Sequence, residues 1–327
     1  MGLHSDAKHY RRTSAMRYVT VAELSDMIRK NLWKIPHDID LVVGIPRSGL
    51  MVANMIALYL NKRLSDIDSF IDGRVFCCGN NRAHMVTQSK IKKVLVVDDS
   101  VHGGNAISQA KEKLSVISSK YDLFFYAPLV TSHGTQYVDA YASIIDDNRI
   151  FEWNLFHHPQ INHSCLDMDG ILCKDPEIDD DGEKYRHFIK TANPFFLPTT
   201  TIDTIITCRL EKYRTITEEW LQNHGIQYNH LIMLDLPDKK SRLSWGKHGE
   251  YKANYYVKSS DTLFIESSLC QAEIIANISS KPVICIETNE LIEKKEPPLA
   301  HGKKLRRLLK KHTPKMYNFI RKRLKSI

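Results

Sequence analysis

Short apolar runs alternate almost end to end with segments whose apolar positions recur at helical spacing. A run of about four to eight apolar residues bounded by turn residues reads as a buried strand, and a 3.6-residue period as a helix. On that basis strands are expected at 41–45, 94–98, 123–130, 164–168, 204–207, 231–234, 263–266 and 283–286. Helices are expected at about 50–61, 105–119, 214–224 and 268–279. Strands alternating with helices argue for βαβ units and parallel sheets, an α/β fold.

A chain of 327 residues is long for one core and comfortable for two domains. The expected boundary lies near 150–160, where residues 151–159 end one αβ pattern and Ile161 opens another strand. This gives domains at 1–155 and 160–295 and a basic segment at 301–327. There is no internal repeat. His157-His158 reads as a linker feature rather than a ligand pair, and Asp179-Asp180-Asp181 as a solvated loop rather than a metal site.

At 43% hydrophobic and 26% charged the chain reads as globular. No apolar run approaches the ~20 residues that span a bilayer, and the polar N-terminus lacks the apolar stretch of a secretory signal, so a cytoplasmic location is expected. Seven scattered cysteines, none at zinc-knuckle spacing, fit a reducing compartment. The net charge is +8, but residues 301–327 hold eleven Lys and Arg and no acid, so the rest of the chain carries −3.

Asp98-Asp99 closes the strand Val94–Val97 and leads at once into Ser100-Val101-His102-Gly103-Gly104-Asn105 and a helix. Carboxylates at a strand end suit ribose hydroxyls and Mg²⁺. The following loop and helix start offer backbone N–H groups to a phosphate, which Gly103 and Gly104 let approach closely, and Ser100 and Asn105 add donors. Upstream, Val42-Val43-Gly44-Ile45-Pro46-Arg47-Ser48-Gly49 is again strand, turn and helix start, with Arg47 suited to pyrophosphate oxygens. An acidic strand end that merely caps a helix is the bland alternative for the first motif alone.

The pair of motifs resembles the type I phosphoribosyltransferases over roughly residues 15–150. The resemblance implies a phosphoribosyl pyrophosphate (PRPP) site at Arg47, Ser48, Asp98, Asp99, Ser100, His102, Gly103, Gly104 and Asn105. It also implies Mg²⁺ on the pyrophosphate, and catalysis by positioning and charge stabilisation. Ala106 stands where a Thr is common in that loop. Residues 70–90 would be the catalytic loop, with Arg74 and Arg82 as clamps on pyrophosphate. His102 is a candidate base for the acceptor.

Asp167 and Asp169, in Asp167-Met168-Asp169-Gly170 just past an apolar strand, put two carboxylates at one pocket. Such a pair serves as nucleophile on phosphorus and as acid/base for the leaving oxygen. The motif resembles the haloacid dehalogenase-like phosphatases. That family's order of elements would continue with Thr207 on the phosphate and Lys252 as neutralising cation, Lys258 being the weaker competitor. Glu266 would complete a Mg²⁺ site with Asp167 and the backbone carbonyl of Asp169. Ser267 and Ser268 follow Glu266 in place of the usual acidic pair. The residues between Asp169 and Thr207 lack the pattern of a substantial cap, and an open site favours a bulky substrate.

The segment 302–327 interleaves its basic residues with Leu305, Leu308, Leu309, Phe319, Ile320 and Leu324, broken by Pro314. Two short basic amphipathic helices on an anionic membrane surface are expected. Nucleic-acid binding and a solvated or self-docking tail are the alternatives.

Together the resemblances imply two Rossmann-like parallel-sheet domains, a type I phosphoribosyltransferase fold and then a capless haloacid dehalogenase-like fold, plus a basic helical tail. The whole chain is similar to bifunctional phosphoribosyltransferase–phosphatases of bacterial surface polysaccharides containing ribofuranose. That similarity implies transfer of ribose 5-phosphate from PRPP to a glycan hydroxyl and removal of the 5-phosphate. It further implies a lipid-linked acceptor and a peripheral place on the inner face of the cytoplasmic membrane. The alternatives are nucleobase salvage fused to a nucleotide phosphatase, and a PRPP-sensing regulatory binder.

Overall fold

The computed structural model describes residues 16–76, 90–177 and 181–294. The chain divides into two compact units between Leu155 and Phe156. Both are α/β with mainly parallel sheets. Among the described residues no helix is long and apolar enough to cross a membrane. The expected basic tail at 301–327, and Cys77, Cys78 and Arg82 of the expected catalytic loop, lie outside the described residues.

The first unit runs β1 (Arg17–Val19), α1 (Val21–Lys30), β2 (Leu41–Gly44), α2 (Ser48–Leu60), β3 (Arg63–Asp66) and α3 (Ile67–Ile71). It continues with β4 (Lys93–Val97), β5 (Ser100–Val101), α4 (Asn105–Leu114), β6 (Asp122–Val130), β7 (Ala140–Ile144) and β8 (Arg149–Phe151). β3, β2, β4 and β6 are parallel neighbours, and β7 pairs with β6. Every residue of β2 and Val94–Val97 of β4 are buried, as continuous β-branched runs must be when both sheet faces are covered. One core cluster holds Leu24, Ile28, Val52 and Ile56 from α1 and α2; the other holds Ile67, Phe70, Ile107 and Leu114 from α3 and α4. Each such side chain contributes about 1.5–3 kcal/mol by burial. α1 is too polar to show in the apolar pattern, yet Thr20 caps it by accepting from the Glu23 amide.

The second unit runs β9 (Ser164–Leu166), α5 (Glu183–Thr191), β10 (Ile202–Leu210), α6 (Arg214–Asn223), β11 (Tyr228–Leu234) and α7 (Lys239–Trp245). It closes with α8 (His248–Lys258), β12 (Leu263–Glu266), α9 (Leu269–Ser279), β13 (Val283–Cys285) and β14 (Glu290–Ile292). The sheet order is β11-β10-β9-β12-β13-β14, parallel except for β14.

Three expectations need correction. No strand opens at Ile161: Pro159–His163 form a 3₁₀ turn capped by His158, Ile161 is buried there, and β9 starts at Ser164. Thr207 does not end its strand, because β10 continues to Leu210 across a register shift between Ile206 and Leu210. The helix expected at 105–119 stops at Leu114, where Ser and β-branched residues weaken it.

Candidate active sites

In the first unit both loops sit at the C-terminal ends of neighbouring strands, where open parallel sheets bind ligands. β2 ends at Gly44, and Arg47-Ser48-Gly49 lead into α2. Arg47 is exposed, and Pro46–Arg47 is a cis peptide. β4 ends at Val97; after Asp98-Asp99 the ladder along β6 resumes with Ser100 opposite Leu129. The two loops abut at Gly49, where a Cβ would lie 2.8 Å from the Val97 carbonyl oxygen and 3.1 Å from Asp98 Oδ1. Only glycine lets the start of α2 come this close.

Asp98 and Asp99 are both buried. Burial and the adjacent Asp99 charge push the Asp98 carboxyl up to about 8. The Asp99 amide donates to Asp98 Oδ1 (2.9 Å), and the Trp153 indole N–H donates to Asp99 Oδ2 (2.8 Å). Trp153 stacks on Phe151 with centroids 4.6 Å apart. Beyond the acid pair, a cavity of about 290 Å³ is lined by Asp98 and residues 100–107. Gly104 has φ +75° and lies under the Tyr137 ring, 2.4 Å from where its Cβ would be. Asn105 opens α4 behind it, with no side-chain cap on the helix start. His102 is exposed, with Nδ1 3.2 Å from Asp147. Arg74 is paired to Asp72 at 2.9 Å.

Residues 16–159 match the phosphoribosyl transferase domain family. This segment is a phosphoribosyl transferase domain. Among solved structures, the chain is similar to the xanthine-guanine-hypoxanthine phosphoribosyltransferase of Helicobacter pylori at 14% identity and TM-score 0.33, over 43% of this chain and 92% of that one. It is similar to the purine phosphoribosyltransferase of Pyrococcus horikoshii at 17% identity and TM-score 0.30, over 42% and 93%. For the orotate phosphoribosyltransferase of Aeropyrum pernix the values are 22%, 0.26, 35% and 59%. No curated protein gives a significant match. The match supports a transferase assignment for residues 16–159, with the buried acid pair and the Gly104–Asn105 turn beyond the C-terminal ends of its strands.

In the second unit Leu166 lies opposite Ile205 of β10 and Ile265 of β12, so the next residues along three adjacent strands come level. That register sets Asp167 level with Ile206 of β10 and Glu266 of β12, with Thr207 one residue further along β10. Lys252 of α8 is 2% exposed and donates to Asp167 Oδ2 (2.7 Å) and Glu266 Oε2 (2.8 Å). Burial pushes Asp167 up to about 8, with Lys252 opposing and the Glu266 charge adding to the rise. Burial works against the Lys252 charge, but the two carboxylates hold its pKa above that of an ordinary lysine. Lys258 is exposed at the far end of α8.

Asp169 turns away from this cluster to a residue that sequence reasoning missed. Arg209, 1% exposed, donates from Nη2 to Asp169 Oδ1 (2.6 Å) and from Nε to both carboxylate oxygens (3.1 Å each). Asp169 therefore has its backbone carbonyl, rather than its carboxylate, left for a cation. Arg209 also donates to Cys173 Sγ (3.1 Å), and its amide donates to Thr207 Oγ1 (3.2 Å). The signal was present as an arginine near the C-terminal end of a strand whose positions are mostly buried.

Asp175 was also missed. Burial and the charges of Asp169 and Glu266 raise its pKa, and its Oδ2 lies 2.9 Å from the Cβ position of Gly170, which has φ +77°. Among the described residues no three His, Cys, Asp or Glu side chains are grouped to hold a metal ion. Even so, Asp167, Asp169, Asp175 and Glu266 outnumber Lys252 and Arg209. That surplus of negative oxygen donors fits a hard divalent cation held by two carboxylates, a carbonyl and waters.

Proposed function

We propose that the phosphoribosyl transferase domain moves ribose 5-phosphate from PRPP to an acceptor hydroxyl, and that the second unit then hydrolyses the 5-phosphate. The observation that carries the second half is Lys252 held between Asp167 and Glu266 at the ends of adjacent parallel strands, with Asp169 two residues past Asp167 held by Arg209. In the first site, Asp98 and Asp99 hold the ribose hydroxyls, the 101–105 loop takes the 5-phosphate and Arg47 the pyrophosphate. In the second, Asp167 attacks phosphorus and the bond to the ribose oxygen breaks. A proton passes from Asp169 to that oxygen, and Asp169 then accepts one from the water that cleaves the aspartyl phosphate. Asp169 Oδ2, with only Nε upon it, is the freer oxygen for that proton. Asp167, Glu266 and the Asp169 carbonyl would hold Mg²⁺ in the second site, and PRPP would bring it to the first; when bound it would supply charge neutralisation at the phosphates.

The acceptor is proposed to be a glycan hydroxyl. Among the described residues only α5, of nine residues, is helical between Asp169 and β10, so little covers the phosphatase pocket. The basic segment 301–327 is proposed to dock on an anionic membrane that carries a lipid-linked acceptor. Incubation with PRPP, Mg²⁺ and either a glycan acceptor or a panel of nucleobases tests the assignment. Pyrophosphate release with bases alone would reject the glycan. With Asp167→Asn, a phosphoribosylated acceptor accumulates; immediate appearance of the unphosphorylated ribosyl product would refute the division of labour. Deleting 302–327 abolishes liposome binding and spares activity on soluble acceptors; unchanged binding would reject the docking role.

A further inference from the structure

Two polar side chains beside the phosphatase pocket have no role in the chemistry above. Arg242 of α7 donates from Nη1 to the backbone oxygen of Cys208, the residue after Thr207, at 3.3 Å. Its Nε is buried without a partner, and no described carboxylate forms an ion pair with it. His248, first residue of α8, also has its Nε2 buried without a partner, while the ring bonds to the Arg242 backbone. Gly246 between the helices has φ +61°, a turn that brings α7 and α8 together. The start of α8 has no side-chain cap, so its backbone N–H groups add positive potential.

The other cations of the pocket are compensated, Lys252 by two carboxylates and Arg209 by one. Arg242 is not. A half-buried guanidinium left with one carbonyl and an idle N–H is costly until an anion meets it. The His248 ring already donates to the Arg242 backbone, so its free Nε2 becomes a second donor to the same anion when the ring takes a proton; burial and the Arg242 and Lys252 charges disfavour that proton until an anion offsets them.

We infer that Arg242 and His248 form an anion subsite next to the phosphatase pocket that receives a second phosphate group of the substrate. This rests on the phosphatase reading of the second unit and sharpens it. The preferred substrate carries a phosphodiester or diphosphate close to the monoester that is cleaved, as a short acceptor joined to lipid through a diphosphate does. Lys252 and Thr207 hold the scissile phosphate; Arg242 and His248 select its neighbour.

The test compares ribose 5-phosphate with ribose 1,5-bisphosphate and a 5′-phosphorylated dinucleotide on the full chain and on Arg242→Met and His248→Asn. On the wild type, kcat/KM for a probe with a second phosphate exceeds that for ribose 5-phosphate about tenfold or more. Each substitution removes most of that preference through KM and leaves ribose 5-phosphate turnover within about twofold. Preference for the dinucleotide alone identifies a diester, and preference for the bisphosphate alone a terminal second phosphate. Equal loss on all probes, or no preference in the wild type, would overturn the inference. Calorimetric binding of ribose 1,5-bisphosphate to Asp167→Asn, with and without Arg242→Met, gives a readout that needs no turnover. Unchanged affinity in the double variant would overturn the subsite. Absence of hydrolysis of every probe, with this affinity difference intact, would overturn the phosphatase reading instead.

Discussion

Arg209 grips Asp169 from within β10, two residues past Thr207, through Nε on both carboxylate oxygens and Nη2 on Oδ1. The guanidinium has no contact with solvent, and one edge of its partner remains open. In the phosphatase mechanism proposed above, Arg209 would be a positioning residue that fixes the direction from which Asp169 offers or takes a proton. Replacing it with Met leaves Asp169 part-buried and unpaired, which costs about 3–5 kcal/mol. Urea denaturation reads that cost. Phosphatase kcat falls on the order of a hundredfold with KM little changed, and Arg209→Lys, which keeps charge but not the fork, recovers only part. Full activity in the Met variant would exclude the role.

Lys252 separates two carboxylates that would otherwise face each other. Lys252→Met is expected to destabilise the second unit by about 3–5 kcal/mol at pH 7. Asp167 in the wild type is already pushed up to about 8, so between about pH 5 and 7 both proteins carry its proton and the deficit stays level. As pH rises through about 8 the wild type releases that proton while the variant, lacking the opposing cation, holds it, and the deficit grows. Denaturation midpoints on either side of that value measure it, and a deficit that shrinks as pH rises would contradict the arrangement.

Asp98 sets a pH dependence in the first unit. Burial and Asp99 push it up to about 8, against about 3.9 in an unfolded chain. Between those values the folded protein holds the extra proton, so stability falls as pH rises through the window. Asp98→Asn keeps the oxygen that accepts from the Asp99 amide and removes the titration. In ligand-free protein its unfolding free energy, read from denaturant melts, should gain on the wild type from pH 5 to pH 8, by on the order of a few kcal/mol. A difference that stays constant with pH would rule the titration out.

Gly49 holds the two loops of the phosphoribosyl transferase domain together. In Gly49→Ala the new methyl would sit 2.8 Å from the Val97 carbonyl oxygen and 3.0 Å from Asp98 Cα, both backbone. Overpacking of this kind costs about 1–3 kcal/mol. Because the strain falls between Arg47 and Asp98, PRPP affinity should drop about tenfold or more, as calorimetry would show. Unchanged affinity would mean that the loops bind independently.

Strands β2, β4, β6 and β9–β13 and helices α2, α4, α6 and α9 were legible because buried parallel strands are continuous apolar runs and their crossover helices carry a 3.6-residue stripe. Polar helices such as α1 and α5, and short strands such as β1 and β8, were not, since their stability comes from caps and neighbours that no local window contains. The Asp98-Asp99 turn and the Asp167-x-Asp169 turn stood out as chemistry at a strand end. The sequence by itself determined an α/β chain with a phosphoribosyl transferase domain and a row of acids at strand ends. Only the tertiary structure decided which charges meet. Lys252 reaches Asp167 and Glu266 across 85 and 14 positions, Arg209 reaches Asp169 across 40, and Trp153 reaches Asp99 across 54. Such pairings depend on strand register and helix docking, and a charge is assigned its partner only when burial removes water as the alternative.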